Sequence, residues 1–248
     1  MVARVGPLTV ALVVLAAIGC GGGDGHGDGG RSAVPRGDER VELDPADFTT
    51  RIDNPYWPMT PGSRWVYRET DPDGTQKRVE VTVTHRTKRV AGVRARVVHD
   101  VVTRGGALVE NTYDWYAQDR AGNVWYLGER TREYENGNLA STEGSWEAGV
   151  DGAQAGVVMP AEPRVGMSYR QEQYAGHAED RARILSLDEQ VEVPFGRFRR
   201  VLMTKDYTPL EPAVLEHKLY ARGVGPVLVL SLSGGGGGEE LIRFHSPR

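Results

Sequence analysis

The sequence predicts an all-β protein, an antiparallel meander that forms a strongly curved sheet or an open barrel. One observation is strict alternation: residues 76–86 place Val79, Val81 and Val83 on one face and polar side chains on the other. A second is the close spacing of turn signals such as the Asp-Pro-Asp-Gly of residues 71–74. A third is that no amphipathic helical pattern separates the alternating segments. Many short strands joined by close turns are typical of all-β folds.

The chain begins with an export signal, predicted for residues 1–19. Arg4 precedes an apolar run at residues 8–18, which is shorter than the roughly 20 apolar residues that cross a bilayer. The run ends before Cys20, the one cysteine of the chain. The segment resembles a bacterial lipoprotein signal, although Ala17 stands where that signal usually has Leu. A lone thiol has no disulfide partner, so we expect Cys20 to carry lipid, such as palmitate, and to anchor the protein in a membrane of the cell envelope. An ordinary secretory signal with an incidental cysteine is the alternative.

Residues 20–40 are rich in Gly and Asp and predict a flexible tether, because they contain almost no apolar surface to bury. Residues 41–248 are then expected to form a single β domain. Removing residues 1–19 takes away one of the 30 basic residues and none of the 34 acidic ones, so the net charge changes from −4 to −5. With no clustered basic face, this charge argues against a nucleic-acid partner.

The domain is expected to open with a Pro-rich extended segment, residues 41–61, in which Tyr56 and Trp57 pack onto the sheet. A meander of strands follows. Asn136-Gly137 is a strong hairpin turn, since both residues tolerate positive φ. The small residues at 149–156 predict a loop. The predicted strands are residues 64–69, 76–86, 94–103, 139–147, 168–174, 181–193, 216–220, 225–232 and 240–244.

A central hairpin is predicted at residues 110–129, with its tip at residues 119–123. Pairing outward from the tip gives the cross-strand pairs Gln118–Val124, Ala117–Trp125, Tyr116–Tyr126 and Trp115–Leu127. Side chains alternate across a strand, so one face is apolar and predicts core: Val109, Tyr113, Trp115, Ala117, Trp125 and Leu127. The other face is polar and aromatic.

That second face supplies the candidate ligand-binding residues, which are Asp114, Tyr116, Tyr126, Glu129 and Trp146. Aromatic rings beside hydrogen-bonding carboxylates suit an amphiphilic ligand such as a lipid, glycan or peptide. The other aromatic residues, Trp65, Trp115 and Trp125, are expected to be core of the curved sheet. Asp114 and Glu129 also allow a carboxylate-dependent hydrolase, which requires the two groups some 5–9 Å apart. Asp119 and Asn123 allow a calcium site, although both residues are equally typical of a tight turn.

The segments Val-Glu-Val-Pro-Phe-Gly-Arg-Phe at residues 191–198 and Lys-Leu-Tyr-Ala-Arg-Gly-Val-Gly at residues 218–225 resemble exported bacterial β-sheet lipoproteins of unassigned function. The resemblance implies a concave antiparallel sheet, broadly similar to lipoprotein-carrier folds. It transfers no catalytic residue, because the shared positions are turn glycines and core aromatics.

Motifs for catalysis, cofactors and metals are missing from the sequence. It contains no Gly-x-Ser-x-Gly elbow, no paired histidine or Cys-x-x-Cys metal motif, and no phosphate-binding loop. We therefore expect no cofactor and no metal site, and catalysis stays open without a motif to support it. The sequence favours a membrane-anchored binding or structural module whose partner is an amphiphilic ligand or an envelope protein.

Overall fold

The computed structural model describes residues 34–233 and 237–247. The predicted signal peptide, Cys20 and most of the predicted tether lie outside these residues. The helical element of the described chain is one 3-10 turn, Pro45–Asp47. The strands are β1 Phe48–Thr49, β2 Arg64–Thr70, β3 Gln76–Val90, β4 Val93–Arg104, β5 Ala107–Asp119, β6 Val124–Arg130, β7 Glu133–Glu135, β8 Asn138–Ser141, β9 Trp146–Glu147, β10 Gln154–Met159, β11 Ser168–Arg170, β12 Glu172–Gln173, β13 Arg181–Val193, β14 Gly196–Tyr207, β15 Leu215–Ala221, β16 Gly225–Ser231 and β17 Gly238–His245. Within residues 34–233 and 237–247, no helix has the length and apolar character needed to span a membrane.

The strands form one antiparallel sheet that nearly closes into a barrel-like ring, which confirms the predicted fold class. From β2 to β6, and again from β13 to β17, each strand pairs with the next along the chain. β17 pairs with β2 and joins the two runs on one side. On the other side β6 pairs with β10, β10 with β12, and β11 with β13. Gln171 alone separates β11 from β12, so this short segment completes the ring.

Side chains that point into the ring form much of the core. Tyr67, Val79 and Val102 are cross-strand neighbours on three consecutive strands, and all three are buried. Such a curved sheet buries apolar surface against itself, which explains why it needs no helix for cover. The Pro-rich entry segment adds to the core as predicted, because the Trp57 ring lies 5.9 Å from Tyr116 and 5.6 Å from Tyr220 between ring centres.

The last residues of the predicted tether lie on the domain, so the tether boundary at residue 40 is too late. Val34 packs against the core. The Arg170 side chain is buried, and its guanidinium Nη1 donates to the carbonyl oxygens of Gly37 at 2.7 Å and Glu39 at 2.8 Å. A buried guanidinium needs acceptors, and this stretch of backbone supplies them.

Two predicted boundaries are wrong in detail. The strand expected at residues 139–147 is two strands, β8 and β9, because the chain turns at residues 142–145. The loop expected at residues 149–156 ends early, because β10 begins at Gln154. Gly156 lies inside β10 for a steric reason: a Cβ there would meet the carbonyl oxygen of Gln171 at 2.4 Å. Small residues at this position therefore reflect close strand packing rather than a loop.

Candidate functional site

The hairpin formed by β5 and β6 has the predicted register near its tip. The observed pairs there are Gln118–Val124, Ala117–Trp125 and Tyr116–Tyr126. Beyond Tyr116 the register shifts by one residue, so that Asp114 opposes Glu129. The predicted pair of Trp115 with Leu127 is therefore wrong, because two residues of β6 lie opposite one residue of β5. This β-bulge brings the two carboxyl groups to neighbouring positions.

Gly128 forms the bulge. Its φ is +130°, a conformation that side chains disfavour, and a Cβ there would meet the carbonyl oxygen of Trp146 at 2.3 Å. Gly128 pairs with Glu147 of β9, so β9 lies close along this part of β6. The close approach places Trp146 beside the hairpin.

The five residues predicted as ligand contacts come together in one cluster. The rings of Tyr116 and Tyr126 stack with 4.8 Å between centres, and Trp146 meets Tyr126 edge-on at 5.3 Å. The Tyr126 hydroxyl donates to Asp114 Oδ1 at 2.8 Å. Tyr116, Tyr126 and Trp146 are buried, so these rings are also part of the core.

Glu129 belongs to a hydrogen-bonded row that runs across β5 and β6. Thr112 Oγ1 lies 2.9 Å from Glu110 Oε1 and 3.1 Å from Thr131 Oγ1, and Thr131 Oγ1 lies 3.0 Å from Glu129 Oε2. Each hydroxyl carries a single proton, so two hydroxyls cannot supply three hydrogen bonds. A third proton must sit on a carboxyl group at one end of the row. We infer that either Glu110 or Glu129 is protonated when all three contacts are made.

Electrostatics favour protonated carboxyl groups throughout this cluster. Burial raises the pKa of Asp114, and the nearby Asp100 raises it further. Burial also raises the pKa of Glu129, and Asp114 adds to the increase. Burial followed by repulsion from Asp180 raises the pKa of Glu172 to about 8. Glu172 nevertheless accepts a hydrogen bond at 2.8 Å from the indole N–H of Trp146, which limits the increase.

An internal cavity of about 270 Å³ lies inside the ring next to this cluster. Its lining comes from the entry segment and from consecutive strands of the ring, β15 to β17 and β2 to β5. The aromatic residues of the lining are Trp57, Trp65, Tyr67, Tyr116 and Tyr220, and the aliphatic ones include Val79, Val81, Val83, Val98 and Val229. Its charged residues are Asp100, Asp114, Lys218 and Glu239.

The cavity carboxyl groups are also held toward their neutral forms. Burial, followed by the charge of Glu69, raises the pKa of Glu239 to about 8. Burial, followed by Glu239, raises the pKa of Asp100 well above its usual value. Lys218 behaves differently: burial disfavours its ammonium, yet Asp206 and Glu216 together raise its pKa. Its Nζ lies 3.3 Å from Asp206 Oδ2.

No model of a protein family matches the chain, and no curated protein matches it. A solved structure from Bacteroides fragilis, provisionally described as an exported protein with a YmcC-like fold, is 12% identical and has a TM-score of 0.46 over 77% of this chain and 99% of that one. A second, provisionally described as a lipoprotein of Parabacteroides distasonis, is 12% identical with a TM-score of 0.42 over 77% of this chain and 98% of that one.

A separate outer groove of about 530 Å³ lies on the outside of the hairpin. Tyr113 and Trp115 line it together with Glu129 and Trp146. Lys88 Nζ lies 3.3 Å from the centre of the Trp115 ring. Asp114 does not line this groove, and Glu129 does not line the internal cavity.

The Asp119 turn has a structural explanation. Asp119 is buried, Oδ1 accepts from the Asn123 backbone N–H at 2.9 Å, and Oδ2 accepts from Asn123 Nδ2 at 2.8 Å and Trp125 Nε1 at 2.9 Å. Three N–H donors thus occupy the carboxylate that a calcium ion would need. Among residues 34–233 and 237–247, no group of three or more His, Cys, Asp or Glu is arranged to hold a metal ion.

Four charged residues of this region were not among the candidates predicted from the sequence: Asp100, Glu172, Lys218 and Glu239. A signal for Asp100 was present, because it stands between Val98 and Val102 in an alternating strand and so must share their inward face. Glu239 likewise stands two residues before the buried Leu241. A carboxylate in register with core positions is the pattern that would have identified both.

Proposed function

We propose that this chain is a lipid-anchored protein of the cell envelope that binds a small amphiphilic ligand inside its sheet, without catalysis. The observation that carries the proposal is the internal cavity, in which an aromatic and aliphatic wall faces carboxyl groups. Apolar pockets with a few convergent polar groups are typical of small-molecule sites. The anchor is proposed from Cys20 and the apolar run before it.

The volume of the cavity limits the size of the ligand that it can hold. At about 270 Å³ the cavity is just below the roughly 300–1,000 Å³ that is typical of ligand pockets, so it limits the ligand to a small molecule. A diacyl lipid or an oligosaccharide exceeds this limit. Of the ligand classes considered from the sequence, a small molecule with one apolar and one polar end fits best.

A carboxylate-dependent hydrolase is the weaker candidate. The raised pKa values of Asp114 and Glu129 suit acid–base chemistry. However, both carboxyl groups already have partners inside the buried cluster, since Asp114 is hydrogen-bonded to Tyr126 and Glu129 to Thr131. The geometry therefore favours binding over catalysis.

Benzyl alcohol, a neutral amphiphile within the size limit, tests the cavity as a binding site. We expect it to bind the purified full-length protein and to change the fluorescence of Trp57 and Trp65, which line the cavity. Val81→Phe fills the cavity and should abolish binding, while overpacking costs about 1–3 kcal/mol of stability. Val165→Phe, at an exposed position, is the matched control and should bind as the unmodified protein does. Binding that survives Val81→Phe, or no binding at all, would refute the proposal.

A further inference from the structure

The charges of the internal cavity do not balance. Asp100, Asp114 and Glu239 bring three carboxyl groups, and Lys218 is the one basic side chain among the described residues of the lining. Lys218 forms ion pairs with two other carboxylates: its Nζ lies 3.3 Å from Asp206 and 3.6 Å from Glu216. Neither of these residues lines the cavity. The three cavity carboxyl groups therefore lack a cation of their own.

Asp100, one of the residues that line the cavity, has an oxygen that is unpartnered among the described residues. Asp100 Oδ1 is buried and has no hydrogen-bond partner within the described part of the chain. A buried polar atom without a partner costs about 1–3 kcal/mol, so folded proteins rarely retain one without a reason. The Asp114 carboxyl, which also lines the cavity, accepts one hydrogen bond, from Tyr126. A ligand that supplies positive charge would satisfy these groups together.

The aromatic wall suits the same ligand. Five aromatic rings line the cavity, and none of them is covered by a Lys or Arg side chain of the described residues. The face of an aromatic ring attracts cations, and cages of several rings recognise quaternary ammonium groups. The acidic groups and the rings without a covering cation are independent features of the lining, and both favour a cation.

We infer that the ligand of the internal cavity is a small organic ammonium ion, bound by Asp100 and Glu239 and by the rings of Trp57, Trp65 and Tyr220. This inference rests on the proposed function, because it names the chemical class that the same cavity takes. A bare metal ion fits less well, since the lining is mostly apolar and no metal cluster exists in residues 34–233 and 237–247.

Choline and dimethylbutanol, its isostere with carbon in place of the ammonium nitrogen, separate charge from shape. Calorimetry on the purified full-length protein at about pH 8 should show choline binding at least about tenfold more tightly than the alcohol. Glu239→Gln should remove most of this preference and leave the affinity for the alcohol unchanged. Glu240→Gln is the matched control, because the Glu240 carboxylate pairs with Arg68 and does not line the cavity.

Equal affinities for the two probes, tighter binding of the alcohol, or no binding of choline would overturn the inference. A preference for choline that survives Glu239→Gln in a folded variant would also overturn it, because the positive charge of choline would then be bound by groups other than Glu239. Benzyl alcohol distinguishes this failure from failure of the proposed function. If benzyl alcohol binds and is lost in Val81→Phe, the cavity is a binding site whose ligand is not a cation.

Discussion

Aromatic rings lie on both faces of the hairpin formed by β5 and β6, and the protein treats the two faces differently. On the outer face, Lys88 covers the ring of Trp115 and also pairs with Glu147 at 2.6 Å. Arg130 lies 5.3 Å from the centre of the Tyr113 ring. The outer rings thus have cations supplied by the chain, and those cations have carboxylates and solvent as partners.

The inner face has the opposite arrangement. Tyr116 stacks on Tyr126 beside Asp114, and the carboxyl groups of Asp100 and Glu239 lie across the cavity. The chain places no cation over these rings within the described residues. On the outer face the chain itself supplies cations to the aromatic rings. The carboxyl groups of the internal cavity, in contrast, require protons or a bound cation. Function is therefore better sought inside the ring than in the larger groove outside it.

The largest expected effect comes from disrupting the bulge at Gly128, which places Glu129 opposite Asp114. Gly128→Ala introduces a Cβ that meets the Trp146 carbonyl oxygen at 2.3 Å, on a residue whose φ is +130°. Backbone must move to relieve the contact, so we expect the free energy of unfolding in urea to fall by about 4 kcal/mol.

Gly137→Ala is the matched control. Gly137 also has a positive φ, 80°, but a Cβ there meets no atom within 4 Å. This substitution should cost about 1 kcal/mol, from the backbone conformation alone. Equal losses in the two variants would show that the bulge does not depend on Gly128, and the account of how Glu129 comes to oppose Asp114 would fail.

The bulge is also a feature that the sequence did not predict. Alternation and turn chemistry correctly gave the fold class, the register at the hairpin tip and the Asn136-Gly137 turn. A bulge depends on one residue whose partner strand, β9, arrives later in the chain, so local alternation could not place it. The five candidate residues converge because of tertiary pairing, although their role as ligand contacts stays a prediction.

Closure of the ring is the second feature that the sequence left open. It depends on β17 pairing with β2, two strands near opposite ends of the domain, and on the short β10 to β12 segments. Alternation shows that a strand has an inner face but not which strand lies across from it. Asp100 and Glu239 consequently could not be assigned to a shared cavity before the pairing was known.

The acidity of the interior predicts an intermediate effect, a loss of stability as pH rises. The folded-state pKa values of Glu172 and Glu239 are raised from 4.5 to about 8, so the folded protein holds protons that the unfolded chain releases. The stability that these two groups contribute by binding protons is therefore fully present below about pH 4.5, and it is lost as the pH rises toward 8. We expect the free energy of unfolding, measured in urea at low ionic strength, to fall between about pH 5 and about pH 8 by at least about 1.4 kcal/mol, the contribution of a single shift of one pKa unit.

Glu239→Gln should make this decline shallower and raise stability at about pH 8. The neutral amide replaces a carboxylate whose ionised form is disfavoured by burial and then by the charge of Glu69. Glu240→Gln should leave the slope as it is, since Glu240 lies in an ion pair with Arg68 that is partly open to solvent. Stability that rises across this pH range would contradict an acidic interior.

The smallest expected effect is on the outer face. Lys88→Met removes the cation from the Trp115 ring but keeps a flexible apolar chain and a sulfur atom against it. The Lys88 and Glu147 side chains keep 34% and 32% of their surface exposed, so water replaces much of what their ion pair provides. We expect a loss of less than about 1 kcal/mol in urea unfolding, with little dependence on pH. A larger loss, or one that grows with pH as the interior effect does, would show that the outer groove depends on its cation as strongly as the cavity depends on its protons. The contrast between the two faces would then no longer indicate where a ligand binds.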